Sequence, residues 1–232
     1  MTPSENAELV AKQGYHHGNV KTALIEAAKT ILMTEKAQNL TLRRLAKEVG
    51  VTPTAVYNHF SDKDALIVAV KTEGFELYNE YIRQHCTETE DPEKMLLQLG
   101  IGYYYFSREF PSQFEILFNY TVSPEAIIQE LVETSCQSEE QLRDVLRRIF
   151  EKYGREYNDE TLVKACLMAW TQIHGLVMLI TAGSIRATAE CQGWPERFSL
   201  VDDKEVEQLI ADHVSVLVQG MVGCRCFTTD NP

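Results

Sequence analysis

Residues 51–60 read VTPTAVYNHF. Thr52-Pro53 is a helix start: a hydroxyl-bearing N-cap followed by proline at the first helical position, where its missing N–H costs nothing. Val56 and Phe60, four apart, supply one apolar face. Thr54, Tyr57, Asn58 and His59 are left to face outward. Immediately before this stretch, Thr41 opens a short helix over 42–49, with Leu42, Leu45, Ala46 and Val49 inward, and Gly50 ends it. Two short helices, 42–49 and 53–59, joined across Gly50-Val51, form a helix-turn-helix. Small Ala46 allows the second helix to come close.

In this motif the second helix enters the DNA major groove. The residue types suit that role. Thr52 and Thr54 carry hydroxyls at the helix start, and the backbone N–H groups there can receive a phosphate. Pro53 and Ala55 offer small apolar contact to a thymine methyl. Tyr57, Asn58 and His59 can donate to phosphate oxygens. Thr41, Arg43, Arg44, Lys47 and Lys63 flank the helix, the bases supplying neutralising charge. Phosphate contacts position such a motif and base contacts specify. The competing reading is a helical hairpin with a merely solvated polar face, in which Tyr57 belongs to the core.

The charge distribution favours the first reading. The 232-residue chain has a formal net charge of −12. Residues 1–11 hold Glu5 and Glu8 without a base. Residues 12–71 hold seven Lys and two Arg against five acids, a balance of +4, and residues 72–232 carry −14. A mildly basic island precedes an acidic body, which suggests two domains with different partners. Hydrophobic residues make up 44%, a globular composition. No run of about 18 consecutive apolar residues marks a membrane span. The opening MTPSENAELVAKQG lacks the basic and apolar regions of a signal peptide, so the expected compartment is the cytoplasm, with reduced thiols.

Helical spacing extends along nearly the whole chain, and the fold class is all-α. A helix is expected over 19–34, capped by Asn19, then 42–49, 53–59 and about 62–86. Asp91-Pro92 and Ser123-Pro124 repeat the cap-plus-proline signature and open helices near 92–109 and 124–135. Pro111 starts another near 112–120. Residues 138–153 form a charged amphipathic helix, and Asn158 caps a long apolar one to about 181. Residues 183–202, with Gly183, Gly193 and Pro195, read as a loop with room for a short turn, and a final helix runs from about 203 to 221.

The segment GNVKTALIEAAKTILMTEKAQNLTLRRLAKEVGVTPTAVYNHFSDKDALIVAV, residues 18–70, resembles the N-terminal domain of the tetracycline-repressor (TetR) family of regulators. The run V-Y-x-H-F-x-x-K-x-x-L is its most specific part. The resemblance implies an N-terminal three-helix DNA-binding domain (15–70), after a disordered segment at 1–14, and a larger helical ligand-binding and dimerisation domain (71–232). It implies phosphate contacts from Thr41, Tyr57, His59 and Lys63, and base or backbone contacts from Thr52, Pro53 and Thr54. Arg43, Arg44 and Asn58 are further candidate DNA contacts. Phe60 and Leu66 match core positions.

Residues 170–175, WTQIHG, resemble the W-x-x-x-H-G signature of one branch of that family. Trp170 and His174 share a helix face, either as packing or as ligand contacts. Aromatic residues concentrate near Tyr103 to Phe118. They read as core or as a pocket, for which Tyr104, Phe114, Phe118, Met168, Trp170, His174 and Met178 are candidates. Helices about 159–181 and 203–221, apolar around most of their surface, are expected to pair in a homodimer.

The function expected is a ligand-responsive regulator, a repressor released from a palindromic double-stranded DNA operator by a small-molecule effector. The alternatives are an activator, or a metal- or thiol-responsive regulator using Cys224 and Cys226 with His213 or Cys191. A protein-binding hairpin that no longer touches DNA is a further class. No catalytic motif, metal-ligand spacing or cofactor signature is present, so neither enzyme chemistry nor a cofactor is expected.

Overall fold

A computed structural model of the chain describes residues 20–34, 39–200, 202–224 and 227. The expectations for residues 1–14, Asn19 and Cys226 lie outside the described residues. Among those described, every regular element is helical, and they divide into two compact units.

The first unit takes the described residues as far as Lys71 and also Tyr120–Ile127. It contains α1 (Val20–Thr34), α2 (Leu42–Val49), α3 (Pro53–Tyr57) and the start of α4 (Lys63–His85). Leu24, Ala28, Leu45, Val56 and Leu66 are fully or almost fully buried and form its core. The returning segment is tied in by polar bonds. Lys71 Nζ donates to the Tyr120 carbonyl at 2.6 Å, and the Ser123 N–H donates to Asp64 Oδ2 at 3.1 Å.

The second unit, Thr72–Asn119 with the chain from Ile128 onward, contains the rest of α4. There follow α5 (Pro92–Glu109), α6 (Pro111–Asn119), α7 (Gln129–Lys152), α8 (Asp159–Thr181), α9 (Ser184–Gln192) and α10 (Asp203–Gly223). One core cluster joins α5, α7, α8 and α10 through Leu96, Leu146, Phe150, Ala165 and Val218. A second, rich in aromatics, joins α4, α5, α6, α8 and α10 through Tyr78, Tyr103, Phe106, Phe114 and Ile210. Glycine lets α5 run close to its neighbours. A Cβ on Gly102 would meet Ile82 Cδ1 at 2.9 Å, and one on Gly100 would meet Ile210 Cγ2 at 3.1 Å.

Two expectations are corrected. The helices read at 124–135 and 138–153 are a short 3-10 turn, Pro124–Ala126, and then the single helix α7. Hydroxyl residues did not break it, because they fold back onto its own carbonyls: Thr134 donates to Glu130 O at 2.7 Å and Ser138 to Ser135 O at 3.3 Å. The loop read at 183–202 contains α9 and a 3-10 turn, Glu196–Ser199. Gly183 and Gly193, both left-handed, bracket α9 rather than mark a structureless stretch.

Helix α8 is long and apolar enough, by composition alone, to cross a membrane. One face of it belongs to the cores of the second unit, while Leu167, Met168, Trp170 and Leu179 on the same helix are exposed. Leu162, Ala165, Cys166, Ala169, Leu176 and Val177 are buried in the two cores of the second unit.

Candidate nucleic-acid interface and interior cavity

In the first unit, capping sets the entry and exit of both short helices. Thr41 is extended, and its hydroxyl accepts from the Arg44 N–H at 3.2 Å. Gly50 leaves α2 at φ 76°, a conformation in which a β-carbon is strained, and the Val51 N–H returns to the Ala46 carbonyl at 2.9 Å. Thr52 caps α3 by accepting from the Ala55 N–H at 3.2 Å. Helix α3 is two residues shorter than expected. The Asn58 N–H closes onto the Thr54 carbonyl, while the His59 and Phe60 N–H groups both return to the Val56 carbonyl.

With Val56 and Phe60 buried, the opposite face is left to solvent. Thr52, Pro53, Thr54, Tyr57, Asn58 and His59 are all exposed. Tyr57 is 53% exposed, so it is not a core residue. Thr41, Arg43 and Lys47 are exposed on or beside α2, whereas Arg44 and Lys63 are half-buried. Asp62 accepts from the Ala65 N–H at 2.8 Å, and this bond holds its carboxyl below the ordinary value. The acid is thereby committed to the N-terminus of α4. The face is therefore hydroxyl- and aromatic-bearing and edged by bases, a surface able to meet phosphate oxygens and base edges.

In the second unit, α4, α5, α6, α7, α8 and α10 border an open cavity of about 670 Å³. One end is aromatic, with Phe75, Tyr78, Tyr103, Phe118, Trp170 and His174. The Tyr103 hydroxyl lies 2.8 Å from His174 Nδ1. The His174 ring stacks near Phe114, with centroids 5.9 Å apart, and tilts against Phe118 at 5.5 Å. Burial lowers the pKa of His174, favouring the neutral ring, and burial raises that of Tyr103 far above the usual phenol value. The other end carries Glu139 and Arg143 of α7, paired through Arg143 Nη2 at 2.9 Å, and His213 of α10.

Of the pocket candidates, Phe118, Trp170 and His174 line this cavity and come together around Tyr103. Phe114 is buried behind them. Tyr104 points elsewhere: its hydroxyl donates to Asp203 Oδ1 at 3.2 Å, beside a second cavity near Arg108 and Arg186. Met168 is 47% exposed on α8, and Met178 packs against the aromatic core without lining the cavity. Glu139, Arg143 and His213 were not anticipated. The i,i+4 spacing and polar surroundings of Glu139 and Arg143 look like a solvated face, and the sequence signal there is that α7 must also cover Leu142 and Leu146 beside them.

Cys224 is exposed, and Cys86 and Cys166 are pushed up to about 11 by burial, which keeps those two thiols protonated. Among the described residues no group of three or more His, Cys, Asp or Glu is arranged to hold a metal ion.

The description of bacterial regulatory proteins of the tetR family matches residues 24–70. That of the tetracyclin repressor-like C-terminal domain matches residues 96–197. An uncharacterized HTH-type transcriptional regulator of Haemophilus influenzae is 40% identical over 65 residues, 28% of this chain and 32% of the relative. The match thus spans about a third of that relative's length. A Rhodococcus sp. RHA1 protein of unknown function superimposes with a TM-score of 0.67 at 21% identity, covering 90% of this chain and 98% of that one. The TetR-family regulator PfmR of Thermus thermophilus gives 0.56 at 17%, and FadR of Bacillus subtilis, solved with stearoyl-CoA, gives 0.60 at 15%. Each of these two pairs covers 86% of this chain and 98% of the other. At such identities the structures speak for the fold. With an N-terminal and a C-terminal description of one family matched in order along it, the chain belongs to the TetR family of DNA-binding transcriptional regulators.

Proposed function

We propose that the protein is a homodimeric repressor that leaves a palindromic operator when a small molecule enters the cavity of the second unit. The observation that carries this reading is the presence in one chain of an exposed face bearing Arg43, Tyr57 and His59 and of a 670 Å³ cavity walled mainly by apolar groups. Thr52, Pro53 and Thr54 are assigned to bases and adjacent backbone. Thr41, Arg43, Arg44, Tyr57, Asn58, His59 and Lys63 are assigned to phosphates. FadR of Bacillus subtilis holds stearoyl-CoA within the same fold, which supports a ligand role for the cavity here.

The dimer is assigned to α8 and α10. Leu167, Met168 and Leu179 of α8 and Val216 of α10 are large apolar residues left exposed, Val216 to 64%. Gly175 and Gly220 lie within these helices, at a cost of about 1 kcal/mol each relative to alanine, yet among the described residues nothing approaches within 4 Å of a Cβ at either. Close approach of a partner helix accounts for both features. Coupling is assigned to α4. Its residues Phe75, Tyr78 and Ile82 line the cavity, and the same continuous helix begins at Lys63 in the first unit. A ligand that binds one position of α4 better than another shifts the equilibrium between them. A regulator acting on the bacterial chromosome works in the cytoplasm.

Selection of duplexes from a random pool tests the reading. The expected product is a site with two-fold symmetry, its half-sites about 34–36 Å apart or a multiple of that. Enrichment of an asymmetric single site, bound by one chain, would overturn the dimeric arrangement.

A further inference from the structure

The aromatic end of the cavity holds a directed hydrogen bond. The Tyr103 hydroxyl meets His174 Nδ1 at 2.8 Å, and Tyr103 is buried, with no other acceptor for that hydroxyl among the described residues. A buried phenol proton needs an acceptor, and His174 Nδ1 is the one within reach, so the Tyr103 proton is given to Nδ1. The alternative tautomer would leave the phenol proton without an acceptor among the rings of Tyr78, Phe114 and Phe118. With Nδ1 accepting, the proton of neutral His174 sits on Nε2. That nitrogen has no protein partner among the described residues, and the ring lines the cavity.

The charges nearby narrow the ligand further. The cavity-lining carboxylate and guanidinium are Glu139 and Arg143. Arg143 donates to Glu139 Oε1 through Nη2 at 2.9 Å and Nε at 3.1 Å. The cation already faces its helical neighbour, so a carboxylate or phosphate in the cavity would have to compete with Glu139 for it. The rest of the wall is largely ring faces and aliphatic groups.

We propose that this cavity takes an uncharged, largely apolar ligand whose oxygen acceptor, a ketone, ester or amide carbonyl, receives a hydrogen bond from Nε2 of His174. Tyr103 acts as the positioning residue that sets the tautomer. The proposal rests on the cavity being the effector site.

The test uses three probes of similar size on the full chain: butyrophenone, pentylbenzene and 5-phenylpentanoate. Affinities are read by NMR titration of wild type and His174→Phe. Wild type is expected to prefer butyrophenone over pentylbenzene by about tenfold, the worth of one hydrogen bond, and to bind the carboxylate most weakly. His174→Phe is expected to lose the preference while still binding pentylbenzene. Equal binding of the two neutral probes by wild type, or preference for the carboxylate, overturns this proposal and leaves the cavity as a ligand site. Binding of none of the three overturns the effector-site reading as well. Nitrogen-15 spectra of histidine-labelled wild type give a check that needs no variant. His174 protonated on Nε2 supports the proposal, and protonation on Nδ1 overturns it.

Discussion

Tyr103 on α5 and His174 on α8, 71 positions apart in the chain, are joined by a 2.8 Å hydrogen bond at the wall of the interior cavity. The bond gives the W-x-x-x-H-G segment a physical role. Trp170 and His174 present one face of α8 to Phe118 and Tyr103, so packing and cavity lining are two aspects of one cluster.

Stability should depend on pH through this histidine. Its surroundings are Tyr103, Trp170, Phe114 and Phe118, with the cavity's paired Glu139 and Arg143 as the charged groups, and burial lowers its pKa below 6.5. In the window just below 6.5 the unfolded chain holds more protons than the folded one. The contribution is thus fully present above 6.5 and is lost as pH falls toward the folded value. Urea midpoints are expected to rise from pH 5 to pH 7, and His174→Phe is expected to flatten that rise. Asp91 and Glu93, held down chiefly by hydrogen bonds from Lys152, lose their contribution only at lower pH, below the usual carboxylate values.

Two glycines should respond in opposite ways to alanine. Gly50→Ala places a β-carbon at φ 76° and should destabilise by about 1–2 kcal/mol. Gly175→Ala meets nothing within 4 Å among the described residues, so helix propensity alone predicts a gain of about 1 kcal/mol. If α8 packs against a second copy, the same change raises the dissociation constant of the pair instead. Unfolding midpoints and sedimentation equilibrium at several concentrations separate the two effects.

Overpacking should be felt where α5 touches α4. The Cβ of Gly102→Ala would lie 2.9 Å from Ile82 Cδ1, and the expected loss is about 1–3 kcal/mol. Ile82→Val in the same chain shortens the obstructing side chain and should recover part of it. A double-mutant cycle with no coupling between the two sites would contradict the close approach.

Local signals carried most of the fold. Thr52-Pro53 and Asp91-Pro92 mark helix starts because caps and proline act within one turn, and both stand where expected. Asn158 does the same through a reciprocal bond with Thr161. What was not legible depends on contacts remote in sequence. Ser138 looks like a break until its hydroxyl is seen bonded to the preceding turn. Gly183 and Gly193 could open a loop or bracket a helix, and burial of Ala189, on the inner face of α9, decides between them. At the cavity, spacing identified Trp170 and His174 as neighbours but could not distinguish Tyr103 from Tyr104. That choice depends on which residue of a continuous aromatic run faces α8.

The most direct measurement of the central claim is an anisotropy titration of a selected duplex across a range of salt concentrations, with wild type, Tyr57→Phe and Lys63→Ala. Both residues lie at the candidate phosphate-facing surface, Tyr57 exposed and Lys63 half-buried at the start of α4. The account predicts saturable binding that weakens as salt rises, weaker binding by Tyr57→Phe, and a salt slope reduced by about 1 for Lys63→Ala, with unfolding midpoints unchanged. Binding that ignores salt and both substitutions while the variants remain folded would contradict it.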